Sequence, residues 1–318
     1  MKKYILNRLG LSVVTMFIVA TIVFFLTRIL PGNVARRYLG RSATEEDLVK
    51  FNTKFGLDEP LFTQFYSWLG DLLTGDLGTS MAFNKPASEL LLPAIGYSSR
   101  LALMSFLIIV PLSIAGGIVA AMYRGKLVDR ILTVGGLSAA VIPEFVWAVT
   151  LILVFGVILG VLPVTAFPTR GDPTFFAQIE HLILPSTALL LVLFGYIARI
   201  TRASVIEALE SDYMRTAMLK GLSRRRAVVT HVLRNALLPS IAVIASQVPY
   251  LVGGLVTVEI VFNYPGFGTI LRDAVGGRDY AVLQSGVMLT SLVIVLFQLA
   301  ADILFAVLNP RIRSRITE

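Results

Sequence analysis

Six stretches of this chain are apolar almost without interruption: residues 9–30, 101–123, 132–162, 182–200, 238–261 and 282–308. A helix crossing about 30 Å of hydrocarbon needs roughly 20 mostly apolar residues, so each stretch is long enough to span a bilayer. A backbone in hydrocarbon must satisfy its own hydrogen bonds, and the α-helix does so within one segment. The pattern predicts an all-α polytopic membrane protein with six transmembrane helices. The third stretch is long for one straight helix and contains Pro143. Proline lacks an N–H and clashes with the preceding turn, so a kink or a re-entrant start is expected there. The first stretch follows Lys2, Lys3 and Arg8, as a secretory leader would. It is too long for a leader, and no A-x-A cleavage site follows it, so a retained helix is expected.

The polar segments between the stretches differ in charge. With the N-terminus in the cytoplasm, the inside segments hold Lys2, Lys3 and Arg8, then Arg124, Lys126 and Arg130, then a cluster from Arg199 to Arg234, then Arg311, Arg313 and Arg315. The outside segments carry most of the acids, among them Glu45, Glu46, Asp47, Asp58, Glu59, Asp71, Asp76, Asp172, Asp273 and Asp279. This bias predicts that both termini are cytoplasmic. The chain then divides into residues 1–30 (N-terminus and first helix), a periplasmic segment 31–100, a transmembrane core 101–308 and a cytoplasmic tail 309–318. Within the outside segment, ATEEDLVKFNTKFGLDEP reads as a short amphipathic helix, with Thr44 as N-cap and Asp47 closing a capping box. GDLLTGDLGTS reads as a glycine-punctuated loop. FTQFYSWLGDLL is rich in aromatics and is expected against the membrane surface or the helix bundle.

Composition agrees with the bilayer as solvent. Hydrophobic residues make up 56% of the 318 residues and charged ones 15%, where a soluble domain carries about 25% charge. The mean hydropathy is +0.78. The net charge of +8 does not point to nucleic acid, because the basic residues lie between runs of membrane length. There is no cysteine, which excludes disulfides, thiolate metal sites and a cysteine nucleophile. His181 and His231 lie far apart and form no zinc pattern, so no metal or cofactor is expected. Neither histidine joins a Ser/His/Asp or paired-carboxylate pattern, so no enzyme activity is expected.

The polar stretch 199–237 is the chief candidate for function. Residues 201–219 suit a helix, which Gly221 would end. Ser223 can cap a second helix, RRRAVVTHVLRNALL, before Pro239 at the mouth of the fifth span. Met214, Ala217, Met218 and Leu222 fall on one apolar face with a basic rim. Such a helix either rests on anionic lipid or docks into a groove of a partner protein.

D-Y-M-R-T-A-x-x-K-G-L followed by H-V-L-R-N-A-L-L-P resembles the cytoplasmic EAA loop of bacterial ABC-importer permeases, in particular the dipeptide/oligopeptide/nickel family. The matching positions are Asp212, Tyr213, Arg215, Thr216, Ala217, Lys220, Gly221, Leu222, His231, Leu233, Arg234, Asn235, Ala236 and Pro239. Met218 stands where the family usually has arginine. The resemblance runs through the R-x-x-P-G turn after the first span, GLDEP and GDLGTS in the outside segment, and VEIVFNYPGFGTIL, VGGRDYAVLQ and LNPRIR near the end. It is closest to the first of the two permease types that pair in these importers. The resemblance implies that the Gly221 elbow presents a coupling helix to a cytoplasmic ATPase. It implies a second related permease, two ATP-binding subunits and a periplasmic substrate-binding protein as partners, beside membrane lipid. The chain has no G-x-x-x-x-G-K-[ST] phosphate loop of its own, so it must borrow a motor.

Other residues are candidates for the path or for partner contacts. Asp302 in the last span is costly in hydrocarbon and should hydrogen-bond in the bundle, gate the path or carry protons. Glu144 follows Pro143 at the predicted break and either lines the path or meets water there. Glu259 ends the fifth span before a Tyr264-Pro265-Gly266 turn. This turn is a plain connector or, as the resemblance implies, receives the binding protein, with Arg272, Asp273, Arg278 and Asp279 available for polar contacts. Ser113, Gly116, Gly117, Gly253 and Gly254 are small residues suited to close helix packing. The resemblance permits di- or oligopeptides, glutathione, nickel complexes or sugar-like solutes as cargo. An ion-coupled transporter with Asp302 and Glu144 as proton carriers is the rival, but the chain shows no internal repeat.

Overall fold

The computed structural model describes residues 2–29, 34–40, 42–168 and 175–308. Among them the helices are α1 (Lys2–Ile29), α2 (Val34–Leu39), α3 (Glu45–Lys54), α4 (Leu61–Thr74), α5 (Ala87–Met122), α6 (Leu127–Arg130), α7 (Gly136–Val141), α8 (Glu144–Leu151), α9 (Phe175–Leu209), α10 (Asp212–Leu219), α11 (Arg224–Ala227), α12 (Leu233–Val261), α13 (Phe267–Gly277) and α14 (Tyr280–Leu308). π-helical turns lie at Ile131–Gly135, Ile152–Ile158 and Val228–Val232. The described residues contain no strand, only an isolated bridge between Thr79 and Pro86. The R-x-x-P-G turn, Asp172 and the tail after Leu308 hold residues outside those described.

Five helices are long and apolar enough to cross a membrane: α1, α5, α9, α12 and α14. The third predicted span is broken. Leu127–Val141 and Glu144–Ile158 meet at 104°, so the pair counts as a sixth span only if a broken helix is allowed. The break falls at Pro143, in extended backbone with φ −58° and ψ 148°. The first span carries large exposed apolar side chains along its length, among them Leu11, Phe17, Ile22 and Leu26. Such a surface is stable only against lipid or protein.

The chain packs as two compact units whose boundaries pass through α5 and α14. The first comprises Lys2–Tyr97 and Pro265–Val295. Here α4 lies against α1: Phe24 meets Phe65 at 5.2 Å and Trp68 at 5.5 Å between ring centroids. The aromatic segment therefore packs on a helix of its own unit, the second of its two predicted settings. Ala87, Leu91 and Ala94 at the start of α5 bury Phe267, Ala274 and Val282. The helix start at Ala87 corrects the sequence-based boundary, because a span was expected only from residue 101. Helix α3 begins with the predicted capping box between Thr44 and Asp47. The Thr44 hydroxyl and backbone N–H hold the Asp47 carboxyl below its ordinary range.

The second unit comprises Ser98–Tyr264 and the chain from Leu296. Helix α9 packs on α12, α7 and α8. A side chain at Gly195 would run into the backbone carbonyl of Gly136, so α9 and α7 touch backbone to backbone. A Cβ at Gly117 would lie 2.6 Å from the Ala198 carbonyl, and one at Gly116 would lie 2.6 Å from the Phe194 ring. Both glycines serve close packing. Gly254 approaches Leu189, whereas Gly253 has nothing within 4 Å and packs against nothing in this chain.

Candidate functional site

The polar stretch after α9 departs from the single helix expected over 201–219. Helix α9 continues to Leu209, and the chain then breaks at Glu210 and Ser211. The Ser211 hydroxyl donates back to the Ala208 carbonyl at 2.6 Å, a bond that competes with further helix. Asp212 then opens α10 with an acid in the first turn, favoured by the helix dipole. The helix ends before Gly221, which adopts φ +82°, a conformation that costs a non-glycine residue about 1–2 kcal/mol. The predicted glycine elbow is present in the backbone. After it, α11 runs through a π-helical turn into α12, with Pro239 and Pro249 inside that helix. Pro239, expected at the mouth of the fifth span, lies two turns inside α12, because the helix starts at Leu233.

The apolar face of α10 is turned inward. Met214 and Ala217 are 7% and 6% exposed, packed with Val205, Ala227, Val228 and Val232, and Leu222 packs against the same cluster. Met218, expected on that face, is 42% exposed. The face therefore anchors α10 to its own chain rather than presenting a free apolar knob. The outward residues are Asp212, Tyr213, Arg215, Thr216, Met218, Leu219 and Lys220, with Gly221 exposed beside them. Leu219, not singled out in the sequence, is 83% exposed. The side chains of His231, Arg234 and Asn235 lie outside those described.

Two ion pairs brace this region. Asp129 receives Arg202 Nε at 2.6 Å and Nη2 at 2.7 Å. It also accepts the Gly125 N–H at 2.8 Å and the Thr133 hydroxyl at 3.1 Å. Asp129 is 5% exposed, so this is a nearly buried, fully bonded carboxylate. Arg124 pairs with Glu210 at the surface, beside the break before α10. Together these pairs tie the segment after α5 to the last turns of α9 and to the break that follows it.

Glu144 opens α8 immediately after Pro143 and is half-buried. Tyr250 of α12 lies within electrostatic reach of it. Asp302 is half-buried in α14. Glu259 is 1% exposed and accepts a hydrogen bond from Ser98.

The residues predicted to meet a binding protein divide. Arg272 and Asp273 are exposed and pair with each other at 2.8 Å. Arg278 is half-buried in left-handed backbone at φ 59°. Tyr264 is fully buried, edge-on to Phe167 with 6.3 Å between centroids, and corrects the expectation of a surface turn residue. Asp279 is also buried. It receives the Ser80 hydroxyl and the Ala82 N–H, and caps the first turn of α14 through Val282. Both side chains are committed to the fold.

The described residues thus hold membrane-length helices, one of them broken at Pro143, and a polar helix anchored on one face and ended before Gly221. Residues 113–314 match the family described as binding-protein-dependent transport system inner membrane component, and residues 1–109 match its N-terminal companion. The chain belongs to this family: it is a permease subunit of a binding-protein-dependent ABC importer and a multi-pass protein of the bacterial inner membrane. It is similar to the glutathione transport system permease protein GsiC of Escherichia coli O6:H1, 37% identical over 315 residues that cover 99% of this chain and all of that protein. GsiC of Shigella dysenteriae serotype 1 is also 37% identical over 315 residues, with the same coverage. GsiC of Salmonella choleraesuis is 39% identical over 318 residues, 99% of this chain and all of the relative.

Proposed function

We propose that this chain is the first of two paired permeases in an importer of short peptides, glutathione among them, and that α10 with Gly221 is its coupling helix. A periplasmic binding protein delivers cargo to the outer face. Two cytoplasmic ATPases close on ATP and drag α10 with them, and the permease pair changes the side on which its path opens. The chain's own residues do no chemistry. The observation that carries this reading is the division of α10: Met214 and Ala217 are clamped in the core while Tyr213, Met218 and Leu219 face outward. A helix fixed on one side and bare on the other transmits a push into α9 and α12 rather than absorbing it. Its orientation toward the cytoplasm rests on the excess of Lys and Arg in that segment.

The peptide reading follows the resemblance of the outside segment and the relatives, which are glutathione transport system permeases. Nickel complexes and sugar-like solutes fit the same architecture. Mass spectrometry of the ligand that co-purifies with the partner binding protein separates these cargoes. For the path, Glu144 at the Pro143 break and Asp302 are the proposed lining or gating groups, and Arg272 and Asp273 the proposed polar contacts for the binding protein. The coupling reading has its own test. Gly221→Val places a β-branched residue at φ +82°, in a region such side chains avoid. In the reconstituted complex, stimulation of ATP turnover by loaded binding protein is then lost. Stimulation at the wild-type level overturns the elbow as the coupling element.

A further inference from the structure

The R-x-x-P-G and VGGRDYAVLQ motifs have no part in coupling, yet Arg28 of the first and Tyr280 of the second meet in the unit that contains α1. The Arg28 guanidinium lies 4.6 Å from the Tyr280 ring centroid and 5.3 Å from that of Phe24. Among the described residues it has no carboxylate partner, and its Nε is buried without a hydrogen bond. Arg28 and Tyr280 line a cavity of about 460 Å³ that opens to the surface. The other lining groups among the described residues are the neutral amides of Asn52 and Gln64 and the apolar Val34, Leu57 and Leu61. Gln64 is 7% exposed, and its amide nitrogen is already spent on the Leu57 and Glu59 carbonyls at 3.3 and 2.6 Å. Among the described residues no acid lines the cavity. Stacking between rings holds a guanidinium in one plane and leaves its edge to an oxyanion.

We infer that this cavity is a binding site for the phosphodiester of a phospholipid headgroup, held by Arg28. Three observations favour a lipid as the source of the oxyanion. Arg28 sits one residue before the end of the first apolar span, the level at which headgroups lie. The same helix exposes Ile22, Leu26 and Ile29 just before and after it, a surface suited to acyl chains. The cavity's own apolar wall suits the glycerol backbone. A bound lipid would supply the counter-charge that the protein omits, at the junction of α1, α4 and α14 within this unit.

The test uses the full chain, purified in detergent, stripped of lipid and titrated with phosphatidylglycerol under native mass spectrometry. Arg28→Gln removes the cation. Asn52→Asp keeps Arg28 but places an anion beside it, in a side chain of the same size at a half-buried position of α3, and the thermal unfolding midpoint of each variant checks that it folds. Each variant should weaken retention of one lipid on the order of tenfold, the loss of one charge-assisted contact. Wild-type retention in both variants overturns the site. So does displacement of the lipid by millimolar inorganic phosphate or by glutathione, which would make the oxyanion a free ion or a substrate carboxylate. Neither result bears on the Gly221 elbow, whose readout is ATP turnover.

Discussion

Asp129 shows what one side chain contributes to this protein. It is nearly buried and satisfied by four donors, two of them from Arg202. Removing one partner of a fully buried pair strands the other charge at about 3–5 kcal/mol, and the cost is smaller here because the Arg202 side chain left behind is 26% exposed; replacing both by apolar groups is often close to neutral. Asp129→Ala should therefore lower the thermal unfolding midpoint of the purified chain strongly. Asp129→Ala combined with Arg202→Met should recover most of the loss. An additive double variant would show that the pair has no shared energy. In sequence Asp129 is an acid among Arg124, Lys126 and Arg130, and it looks like a minor correction to a basic loop. Its partner is 73 positions away, and no spacing rule relates the two. Tyr264 and Asp279 were misjudged for a related reason. A turn sequence fixes the local backbone, whereas burial depends on which distant segment closes over it, here Gln178 and Phe167 for Tyr264 and Ser80 for Asp279.

At the scale of elements, the legible features are those written in local chemistry. The helix stop at Gly221, the break at Pro143 and the cap at Thr44 each depend on a residue whose own backbone preference or side-chain hydrogen bond decides the outcome. The cap makes a pH prediction. Asp47 has its carboxyl pKa lowered in the folded chain, first by the Thr44 hydroxyl and then by the Thr44 N–H. Its contribution is complete above the ordinary carboxylate range and is lost as pH falls through the lowered value. Hydrogen exchange at the start of α3 should accelerate on acidification, and Thr44→Ala, at a cost of about 1 kcal/mol, should accelerate it at neutral pH as well. Unchanged exchange in that variant would remove the cap's role. The meeting of Gly195 with Gly136 was not legible, because each glycine lies in an ordinary apolar run and only the crossing of α9 and α7 brings them together. Gly195→Val should force those backbones apart and lower the folded yield, whereas Gly253→Val, which meets nothing in this chain, should leave the yield unchanged. Equal yields from the two variants would mean that the close crossing is not needed.

For the whole molecule, every functional claim depends on which face of the membrane α10 occupies. Charge supplies the argument: the segment holding α10 is rich in Lys and Arg, and the segment holding α3 opens with Glu45, Glu46 and Asp47. Translocation of basic segments is disfavoured, so α10 should remain in the cytoplasm and α3 should reach the other side. The complete lack of cysteine makes this measurable, because any single cysteine introduced is the sole site for a thiol reagent. Val49 and Leu219 are 59% and 83% exposed, one on α3 and one on α10. In intact spheroplasts a membrane-impermeant maleimide should label the Val49→Cys chain at once and the Leu219→Cys chain only after the membrane is opened. The reverse pattern would place the elbow where no cytoplasmic ATPase can touch it. Labelling of both from outside would mean an even number of crossings between them, as when the pair broken at Pro143 re-enters the membrane instead of spanning it. With the expected pattern, adding the ATPase subunits should shield the cysteine at 219 and leave the one at 49 reactive if a motor docks on the outward face of α10 as proposed; equal reactivity of both would overturn that docking.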